Sequence, residues 1–475
     1  MSTKQAFAQI RTQLNTHNQA HLLQFWPSLN SEDQNKLSQQ IENLSLDHLD
    51  QWINEYILND HSAKIPTHFS PAPAYPSNPE KPDMQEKYAR ASVLGEKLLR
   101  EGKVGAFVVA GGQGTRLGFD GPKGNYPISP IKHKTLFQLF AESILATCKK
   151  YNTRCPWYIM TSPLNDETTQ KTFKSNGYYD LPEEDVVIFQ QGTLPNFAMD
   201  GLIFLADKHR IATSPDGHGG SLKALHESNA VDHMKHRGVE YLSYWQVDNP
   251  LITIFDPLFI GLHVMDDSQM SSKALVKSDP MEKVGNFCLV DNHVTVIEYS
   301  DLPEKEALKK NPDGSLAFEL GSIGIHLVSR TFVEQLNAGE FSLPFHRAVK
   351  RIPHINAEGQ YVAPAEPNGI KLETFVFDAL PLASHSMILE TKRSEEFGPV
   401  KNATGVDSAE TSREMIIERA AIWLESAGIF VPRTDSGKVD CLLEIAPSFA
   451  LSPQDLKARP HEIPEIKPGD ALYLS

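Results

Sequence analysis

The sequence predicts an α/β protein with a doubly wound sheet, preceded by a helical region and followed by a small domain. Two observations support this fold class. Between residues 84 and 385, short apolar runs alternate with segments of helical periodicity, which is typical of strands and helices that follow each other in turn. The first apolar run leads directly into a glycine-rich loop, the position at which parallel sheets bind phosphates.

Residues 1–83 are predicted to form helices followed by a proline-rich linker. Leu37, Ile41 and Leu44 recur at helical spacing, and a second apolar stripe runs from Leu49 to Ile57. Ser31 with Gln34 three residues later is typical of a capping box at a helix start. Prolines recur between residues 60 and 83, which disfavours a helix and predicts an extended linker.

The catalytic domain is predicted to span residues 84–385. Helices are expected at 84–101, 135–150, 166–176 and 221–237, and strands at 104–110, 156–161, 185–190 and 240–248. Residues 386–475 are predicted to form a small C-terminal domain. Its elements would be a helix at 411–427 and the strand-like pieces IFVP and VDCLLEI.

The composition limits the class of partner. The 45 Lys and Arg residues are outnumbered by 60 Asp and Glu residues, giving a net charge of −15. Such a protein is not expected to coat nucleic acid or an anionic membrane, although a small anionic ligand needs only a few local cations. The four cysteines lack metal-binding spacing, and no apolar run resembles a signal peptide or membrane span. We therefore expect a cytoplasmic monomer or homodimer acting on small molecules.

The glycine-rich loop is the most specific motif. It reads Gly111-Gly112-Gln113-Gly114-Thr115-Arg116-Leu117-Gly118, followed by Pro122-Lys123-Gly124. Glycines at a strand end allow backbone amides to approach a phosphate, and the spacing matches neither the P-loop nor GxGxxG. Gly111, Gly112, Gly114 and Thr115 are predicted to bind substrate. Arg116 and Lys123 are predicted to neutralise a polyphosphate.

Asp248 ends a predicted strand and is followed by Asn249 and Pro250. A carboxylate at the carboxyl end of a parallel strand lies where such folds bind ligands. A carboxylate there can hold Mg²⁺ or Mn²⁺ together with substrate phosphates, and the alternative is an ordinary helix or turn cap. The family resemblance given below implies the metal role for Asp248. Asp256, which precedes Pro257, is predicted to be an ordinary N-cap.

The segment GGQGTRLGFDGPKG resembles the signature loop of the sugar-nucleotide pyrophosphorylases. Further segments follow in the order found in that family: FQQGTLP, SPDGHGGSLKAL, VDNPLITIFDPLFIG, VIEYSDLP, GIKLETFVFD and EEFGPVKNATG. Over about residues 85 to 410, the chain is most similar to the UDP-N-acetylhexosamine pyrophosphorylase branch of the UDP-sugar pyrophosphorylases. The resemblance implies a Rossmann-like nucleotidyltransferase (GT-A-like) fold, with a mixed sheet and helices on both faces.

The resemblance also assigns site residues. Gln191 would recognise the uracil edge, and the backbone near Gly217 would face the base. The residues implied at the sugar are His218, Glu298 and Ser322, with Phe375 and Phe377 beside the N-acetyl group. These two phenylalanines alternate as in a strand. Lys371 and Lys401 would neutralise phosphates from across the cleft. His218 and Ser322 depart from the asparagines typical of this branch.

The implied reaction joins UTP and an N-acetylhexosamine 1-phosphate by direct in-line attack on the α-phosphorus. It would give pyrophosphate and UDP-N-acetylglucosamine or UDP-N-acetylgalactosamine. Arg116, Lys123 and Lys401 would be the catalytic cations. His218 and Ser322 keep open a glucose 1-phosphate uridylyltransferase or a broad UDP-sugar pyrophosphorylase.

Two remoter alternatives are a UDP-sugar glycosyltransferase and a non-catalytic sensor. The glycosyltransferase is disfavoured because the strand ends Val247-Asp248-Asn249 rather than in an Asp-x-Asp pair. The retained cations and Asp248 argue against the sensor.

Overall fold

The computed structural model describes residues 3–59, 66–339 and 341–475. Two compact units make up the chain. The first comprises Met1–Lys64, Gly192–Gly220 and Ser342–Val376, and the second comprises Ile65–Gln191, Ser221–Phe341 and Phe377–Ser475. Residues 60–65, where the proline-rich linker is predicted to begin, lie outside the described residues. The division into three domains stays a prediction.

The α-helices are α1 (Thr3–Thr16), α2 (Ser31–Glu42), α3 (Leu46–Trp52), α4 (Pro82–Arg100), α5 (Leu136–Tyr151), α6 (Asp166–Ser175), α7 (Gly220–Glu227), α8 (Ala230–Arg237), α9 (Pro257–Met265), α10 (Glu304–Ala307), α11 (Arg330–Leu336), α12 (Arg393–Glu396), α13 (Ala409–Ser426) and α14 (Pro453–Lys457). A π-helical segment, Ile53–Leu58, follows α3. The 3-10 helices are Ala20–Leu23, Trp26–Ser28, Thr115–Leu117, Lys123–Asn125, Gly177–Asp180, Glu183–Asp185, Val376–Leu382 and Pro460–Glu462.

The strands are β1 (Ser70–Pro71), β2 (Val104–Val109), β3 (Trp157–Thr161), β4 (Val186–Gln190), β5 (Thr193–Pro195), β6 (Phe197–Ala198), β7 (Leu205–Asp207), β8 (Arg210–Ile211), β9 (Thr213–Pro215), β10 (Tyr241–Gln246), β11 (Met270–Val276), β12 (Gly285–Val290), β13 (His293–Ile297), β14 (Leu320–Ser329), β15 (His346–Lys350), β16 (His354–Ile355), β17 (Tyr361–Val362), β18 (Gly369–Glu373), β19 (Ile388–Thr391), β20 (Leu442–Ile445) and β21 (Ala471–Leu474).

In the first unit, the N-terminal helices share a core with short strands. Leu14 and Leu37 from the helices belong to the same buried cluster as Ile370 and Leu372 of β18. Gln19 is buried and donates from Nε2 to the carbonyl of Gly201 at 3.0 Å. Since a buried carboxamide must be hydrogen-bonded, this contact fixes the helical region to the strand segment.

The predicted capping box at Ser31 is wrong. Asn30 is the N-cap of α2, and its Oδ1 accepts the N–H of Asp33 at 2.9 Å. The side chain of Gln34 instead donates to the carbonyl of Trp26 at 3.1 Å. The helix therefore uses the asparagine one residue before the predicted start, since its carboxamide oxygen is also a strong capping group.

The second unit contains a large mixed sheet, which confirms the predicted α/β fold class. Its strand order is β1-β12-β14-β10-β2-β3-β4, with β11 beside β14, β13 beside β12 and β19 beside β11. Strands β10, β2, β3 and β4 are parallel, whereas β14 pairs antiparallel with β10, β11 and β12.

Helices cover both faces of the parallel strands. Trp245 of β10 packs edge-on against Phe140 of α5, with ring centroids 5.4 Å apart. On the opposite face, the hydroxyl of Tyr158 of β3 lies 3.0 Å from Nδ1 of His233 of α8. Because successive side chains of a strand alternate between faces, each strand contributes to both helical layers.

Most predicted elements of the second unit are confirmed within a few residues, namely α4, α5, α6, α13, β2, β3, β4 and β10. The single helix predicted at 221–237 is instead α7 and α8. The break occurs at Asn229, whose φ of 62° is left-handed and cannot continue a right-handed helix. Asparagine tolerates that conformation better than most residues.

The described part of the proline-rich segment is extended, as predicted. Ser70 and Pro71 pair with β12, and Tyr75 makes backbone hydrogen bonds of 2.9 Å with Ile388 and Glu390 of β19. The segment therefore adds to the sheet rather than standing apart from it.

The C-terminal region has a core of its own around α13. Leu443 of the parallel pair β20–β21 is buried with Trp423 and Leu424. The VDCLLEI piece contains β20, whereas the IFVP piece at 429–432 lies outside regular secondary structure. No helix within the described ranges is long and apolar enough to cross a membrane.

Candidate active site

The glycine-rich loop leaves the carboxyl end of β2 and is held by polar side chains that follow β3. Asn165 is buried and donates from Nδ2 to the carbonyls of Ala110 and Gly112, at 2.9 and 3.2 Å. The hydroxyl of Ser162 donates to the carbonyl of Gly111 at 2.9 Å. These bonds engage three successive carbonyls and thereby fix the backbone orientation of the loop.

Steric contacts explain why glycine is needed at some positions of the loop. A Cβ at Gly111 would lie 2.6 Å from Oε1 of Gln191, so the glycine lets the carboxamide of Gln191 lie over the loop. A Cβ at Gly124 would overlap the ring of Phe137 in the core. A Cβ at Gly112, in contrast, would have its nearest neighbour at 4.0 Å, on Cε of Lys123.

Three of the predicted charged residues lie close together at this end of the sheet. Nζ of Lys123 is 3.7 Å from Oδ2 of Asp248, and both side chains are only about one-seventh exposed. The N–H of Val400 donates to the carbonyl of Asp248 at 2.8 Å, which places Lys401 beside the end of β10. Lys401 lies 3.8 Å from Asp407 and above the ring of Phe397.

Arg116 and Thr115 form an exposed 3-10 turn with Leu117 on the same loop. Gly118 ends this turn with a φ of 69°, and, its two chain neighbours aside, no heavy atom of the described residues lies within 4 Å of the position a Cβ would take. The loop therefore carries one exposed guanidinium in addition to the partly buried ammonium of Lys123.

The predicted sugar residues Glu298 and Ser322 lie on either side of Gly285. Ser322 of β14 pairs with Gly285 of β12, and Oε1 of Glu298 would lie 3.3 Å from a Cβ at Gly285. A Cβ at Gly285 would also lie 2.5 Å from Cγ1 of Val296, so close packing requires glycine at this position. Phe377 is buried in the 3-10 helix Val376–Leu382.

In the first unit, the turn that carries Gly217 and His218 is bonded to the end of β18. The N–H of Gly219 donates to the carbonyl of Thr374, and the N–H of Thr374 donates to the carbonyl of Asp216. Gly217 has a φ of 87°, and a Cβ there would overlap the carbonyl of Thr374. Glycine is therefore required both by conformation and by contact.

His218 stacks on Phe375, with ring centroids 5.1 Å apart, and Phe375 stacks in turn on His346 at 4.1 Å. The N–H of Val376 donates to Nδ1 of His218 at 3.1 Å, so the neutral ring carries its proton on Nε2. Burial, with a smaller effect of His346, lowers the pKa of His218 to about 4. The ring is therefore a neutral hydrogen-bond donor near pH 7.

The expectation that Phe375 and Phe377 alternate along one strand is wrong. Strand β18 ends at Glu373, and a 3-10 helix begins at Val376, so the two rings follow no strand periodicity. Lys371 lies within β18, opposite Ala348 of β15.

Each unit thus contains part of the predicted set. Gly217, His218, Lys371 and Phe375 belong to the first unit, and the remaining predicted residues belong to the second. The convergence of both groups on one cleft stays a prediction.

Asn165 and Ser162, which hold the glycine-rich loop, were not predicted. Their signal was a polar cluster directly after the strand predicted at 156–161.

The carboxylate of Asp248 fits the chemistry expected of a Mg²⁺ ligand. Within residues 3–59, 66–339 and 341–475, no group of three His, Cys, Asp or Glu side chains could hold a metal ion. Mg²⁺ is commonly bound through one or two carboxylates, substrate phosphates and water. A single partly buried carboxylate beside the glycine-rich loop matches that pattern. Asp256 is the predicted N-cap, since it accepts the N–H of Leu258 at 3.0 Å.

Comparison with known proteins gives consistent matches over most of the chain. The family model described as UTP–glucose-1-phosphate uridylyltransferase matches residues 51–475. The UDP-N-acetylhexosamine pyrophosphorylase-like protein 1 of Xenopus tropicalis is 35% identical over 425 residues, covering 85% of this chain and 81% of that protein. The UDP-N-acetylglucosamine pyrophosphorylase of Saccharomyces cerevisiae is 34% identical over 458 residues, covering 92% of this chain and 94% of that protein.

A solved structure agrees with these matches. The uridine diphosphate N-acetylglucosamine pyrophosphorylase from Trypanosoma brucei, in complex with inhibitor, superposes with a TM-score of 0.82 at 25% identity. The match covers 100% of this chain and 98% of that chain. The family model covers far more than half of the sequence, and the chain therefore belongs to the UTP–glucose-1-phosphate uridylyltransferase family.

Proposed function

We propose that this protein is a uridylyltransferase that forms UDP-N-acetylglucosamine and pyrophosphate from UTP and N-acetylglucosamine 1-phosphate. The observation that carries the proposal is the cluster of Lys123, Asp248 and Lys401 beside a glycine-rich loop at the carboxyl end of parallel strands. The relatives named above act on N-acetylhexosamine derivatives according to their names, which supports the same substrate class here.

The reaction is a direct displacement. A phosphate oxygen of the sugar 1-phosphate forms a bond to the α-phosphorus of UTP, and the bond from that phosphorus to the bridging oxygen of pyrophosphate breaks. The attacking oxygen is already an anion, so no side chain has to remove a proton from it. The contribution of the protein is therefore to hold both substrates in line and to stabilise charge on the leaving group.

Lys123 and Lys401 are assigned to charge stabilisation, because both lie beside the end of β10. Arg116 is exposed on the turn Thr115–Leu117 and is assigned to the phosphates of UTP. The loop amides near Gly111 and Gly112 would bind phosphate, and Gln191, whose carboxamide lies over Gly111, would face the uracil.

Asp248 would hold Mg²⁺ or Mn²⁺. When bound, the ion would supply further charge neutralisation to the phosphate oxygens. The ammonium of Lys123 would then bind phosphate rather than Asp248, since the 3.7 Å separation is longer than a hydrogen bond and leaves this ion pair easily exchanged.

Glu298 and Ser322 in the second unit and His218 in the first are assigned to the sugar, and Lys371 in the first is assigned to the phosphates. Phe375 and Phe377 are assigned to the wall beside the N-acetyl group. The second candidate substrate is glucose 1-phosphate, which Ser322 favours because its short side chain provides fewer contacts to a bulky 2-substituent. UDP-N-acetylgalactosamine remains a further product of the same chemistry.

We propose the cytoplasm as the compartment, and a monomer or homodimer as the working form.

The test is to incubate the purified protein with UTP, MgCl₂ and one of three sugar 1-phosphates, carrying N-acetylglucosamine, N-acetylgalactosamine or glucose. Pyrophosphate release and the UDP-sugar formed are measured separately. We expect the highest kcat/KM with N-acetylglucosamine 1-phosphate. A preference for glucose 1-phosphate would contradict the proposed substrate, and the absence of pyrophosphate with all three sugars would contradict the proposed reaction.

A matched pair of variants tests the site assignment. Lys401 and Lys438 both form exposed ion pairs, with Asp407 at 3.8 Å and Glu414 at 3.5 Å. Lys401→Met is expected to lower kcat by about 10²-fold, the scale of one lost preorganised charge, whereas Lys438→Met leaves it unchanged. Equal activity of the two variants would remove Lys401 from the catalytic set.

A further inference from the structure

Asn249, which follows Asp248 in the turn after β10, is bonded to a segment that lies far along the chain. Its Nδ2 donates to the carbonyl of Glu396 at 2.6 Å, and its Oδ1 accepts the N–H of Gly398 at 3.1 Å. Within the turn, Oδ1 also accepts the N–H of Leu251 at 3.3 Å. The side chain of Asn249 is buried, and a buried carboxamide needs such partners in place of water.

Residues 396–400, the segment that Asn249 holds, lead directly to Lys401. All of them are buried, whereas residues 402–406 beyond Lys401 are exposed. The N–H of Val400 donates at 2.8 Å to the carbonyl of the residue before Asn249. The backbone that leads to Lys401 is therefore fixed to the turn after β10.

An aromatic ring beside the ammonium of Lys401 belongs to the same segment. Nζ of Lys401 lies 5.5 Å from the ring centroid of Phe397, which is buried in the core. The two residues that flank Phe397 are the ones that Asn249 bonds. The ion pair of Lys401 with Asp407, at 3.8 Å, is longer than a hydrogen bond and constrains the ammonium less. Because the stem of a lysine is flexible, the place of this ammonium depends on the segment before it.

The start of the segment is anchored independently of Asn249, through the side chain of Glu396. This buried carboxylate pairs with the ammonium of Lys273 and accepts the N–H of Thr253 at 3.3 Å. Lys273 is buried as well and pairs with Asp256 at 2.8 Å. Burial alone would lower the pKa of Lys273, but the carboxylates of Asp256 and Glu396 raise it above its ordinary value. The ammonium therefore stays charged, and this end of the segment remains attached when the bonds of Asn249 are removed.

We propose that Asn249 is a positioning residue that holds Lys401 at the end of β10 during uridylyl transfer. This inference rests on the proposed function and adds a residue that acts through Lys401. Stabilisation of charge requires a cation in a fixed place, and a displacement of about 1 Å costs up to about 10²-fold in rate. Loss of the Asn249 bonds should therefore lower kcat, and only while Lys401 is present.

The test is a double-mutant cycle between Asn249→Ser and Lys401→Met. A serine hydroxyl can accept the N–H two residues on, as Asn249 does, but it is too short to reach residues 396 and 398. At saturating substrates and Mg²⁺, we expect Asn249→Ser to lower kcat for pyrophosphate release by about 10–10²-fold. In the Lys401→Met background, the same substitution should lower kcat by less than about twofold, because the cation that it displaces is absent.

Hydrogen exchange gives a readout that does not depend on activity. The N–H of Gly398 is bonded to Asn249 and should exchange about tenfold faster in Asn249→Ser, as expected for the loss of one hydrogen bond. The amides of β10 should exchange as in the wild type, since their bonds to β2 and β14 are retained.

Asn337→Ala is the matched control. The Nδ2 of Asn337 also bonds distant segments, donating to the carbonyls of Leu222 and Val333 at 3.2 and 2.8 Å. Asn337 ends α11, the helix that follows β14 where Ser329 pairs with Tyr241, at the opposite end of β10 from Asp248. This variant should have a lower melting temperature and a kcat within about twofold of the wild type.

Three results would overturn the inference: an unchanged kcat in Asn249→Ser, an equal loss of kcat in both backgrounds, or a loss that higher Mg²⁺ restores. The last of these would place the effect on Asp248. If Asn249→Ser does not fold, the cycle is measured with Ser412→Ala, which removes a buried hydroxyl that donates to the carbonyl of Gly398 at 2.7 Å.

The wild-type rate separates this inference from the proposed function. A wild type that releases no pyrophosphate contradicts the proposed function. Unchanged exchange at Gly398 in Asn249→Ser contradicts the anchoring by Asn249, whatever the rate of the wild type.

Discussion

Replacing Lys123 by methionine removes one positive charge from the candidate site and keeps the length of the side chain. The ammonium lies 3.7 Å from the carboxylate of Asp248, and the two side chains are 15% and 13% exposed. At an effective dielectric constant of about 20, two unit charges 4 Å apart interact by about 4 kcal/mol. A phosphate oxygen bound near Lys123 would therefore lose a substantial stabilising interaction in the variant.

We expect Lys123→Met to lower kcat by about 10²–10³-fold, the range observed when one preorganised donor is removed from a charge-stabilising site. The apolar stem of methionine retains the position beside Gly112, where Cε of Lys123 now lies. The melting temperature should therefore change little. The assay is pyrophosphate release at saturating UTP and sugar 1-phosphate, with circular dichroism to follow unfolding.

Lys134→Met is the matched control. Lys134 is 11% exposed, pairs with Glu142 at 2.6 Å and donates to the hydroxyl of Tyr473 at 2.8 Å. Its loss should lower the melting temperature and leave kcat within about twofold, because it contacts no predicted site residue. A Lys123→Met protein whose kcat stays within about threefold of the wild type would refute the assignment of Lys123 to charge stabilisation.

Four further predictions concern the metal, two glycines and pH. Asp248→Asn should raise the Mg²⁺ concentration needed for half-maximal rate by about 10–100-fold, which a Mg²⁺ titration of activity measures; an unchanged titration would remove Asp248 as the ligand. Gly112→Ala should raise the KM for UTP without lowering the melting temperature, because the nearest described atom to a Cβ there, its chain neighbours aside, is Cε of Lys123 at 4.0 Å. Gly124→Ala should destabilise the fold by about 1–3 kcal/mol, because its Cβ overlaps the ring of Phe137. The pKa of His218 is lowered to about 4, so the unfolded chain binds a proton that the folded ring rejects. Stability should then fall as pH decreases from about 6.5 to 4, by less than about 1.4 kcal/mol per pH unit for this group, and His218→Asn should show a smaller slope in urea unfolding.

Local patterns in the sequence were sufficient to predict the four parallel strands β2, β3, β4 and β10 of the ten-stranded sheet and to locate the glycine-rich loop. Apolar runs located β2, β3, β4 and β10 within a few residues, since a buried parallel strand needs such a run. The glycines after β2 and the carboxylate after β10 were placed correctly at strand ends. Turn and cap chemistry was less reliable, as the actual cap at Asn30 and the break at Asn229 show.

Only the tertiary structure decided which distant residues meet. The N–H of Val400 binds the carbonyl of Asp248, and the carboxamide of Asn165 binds the carbonyls of the glycine-rich loop. The register of β12 and β14 determines that Gly285 and Ser322 lie opposite each other. These contacts depend on strand register and on packing between segments far apart in the chain, whereas hydrophobic periodicity reports only the local burial of one segment.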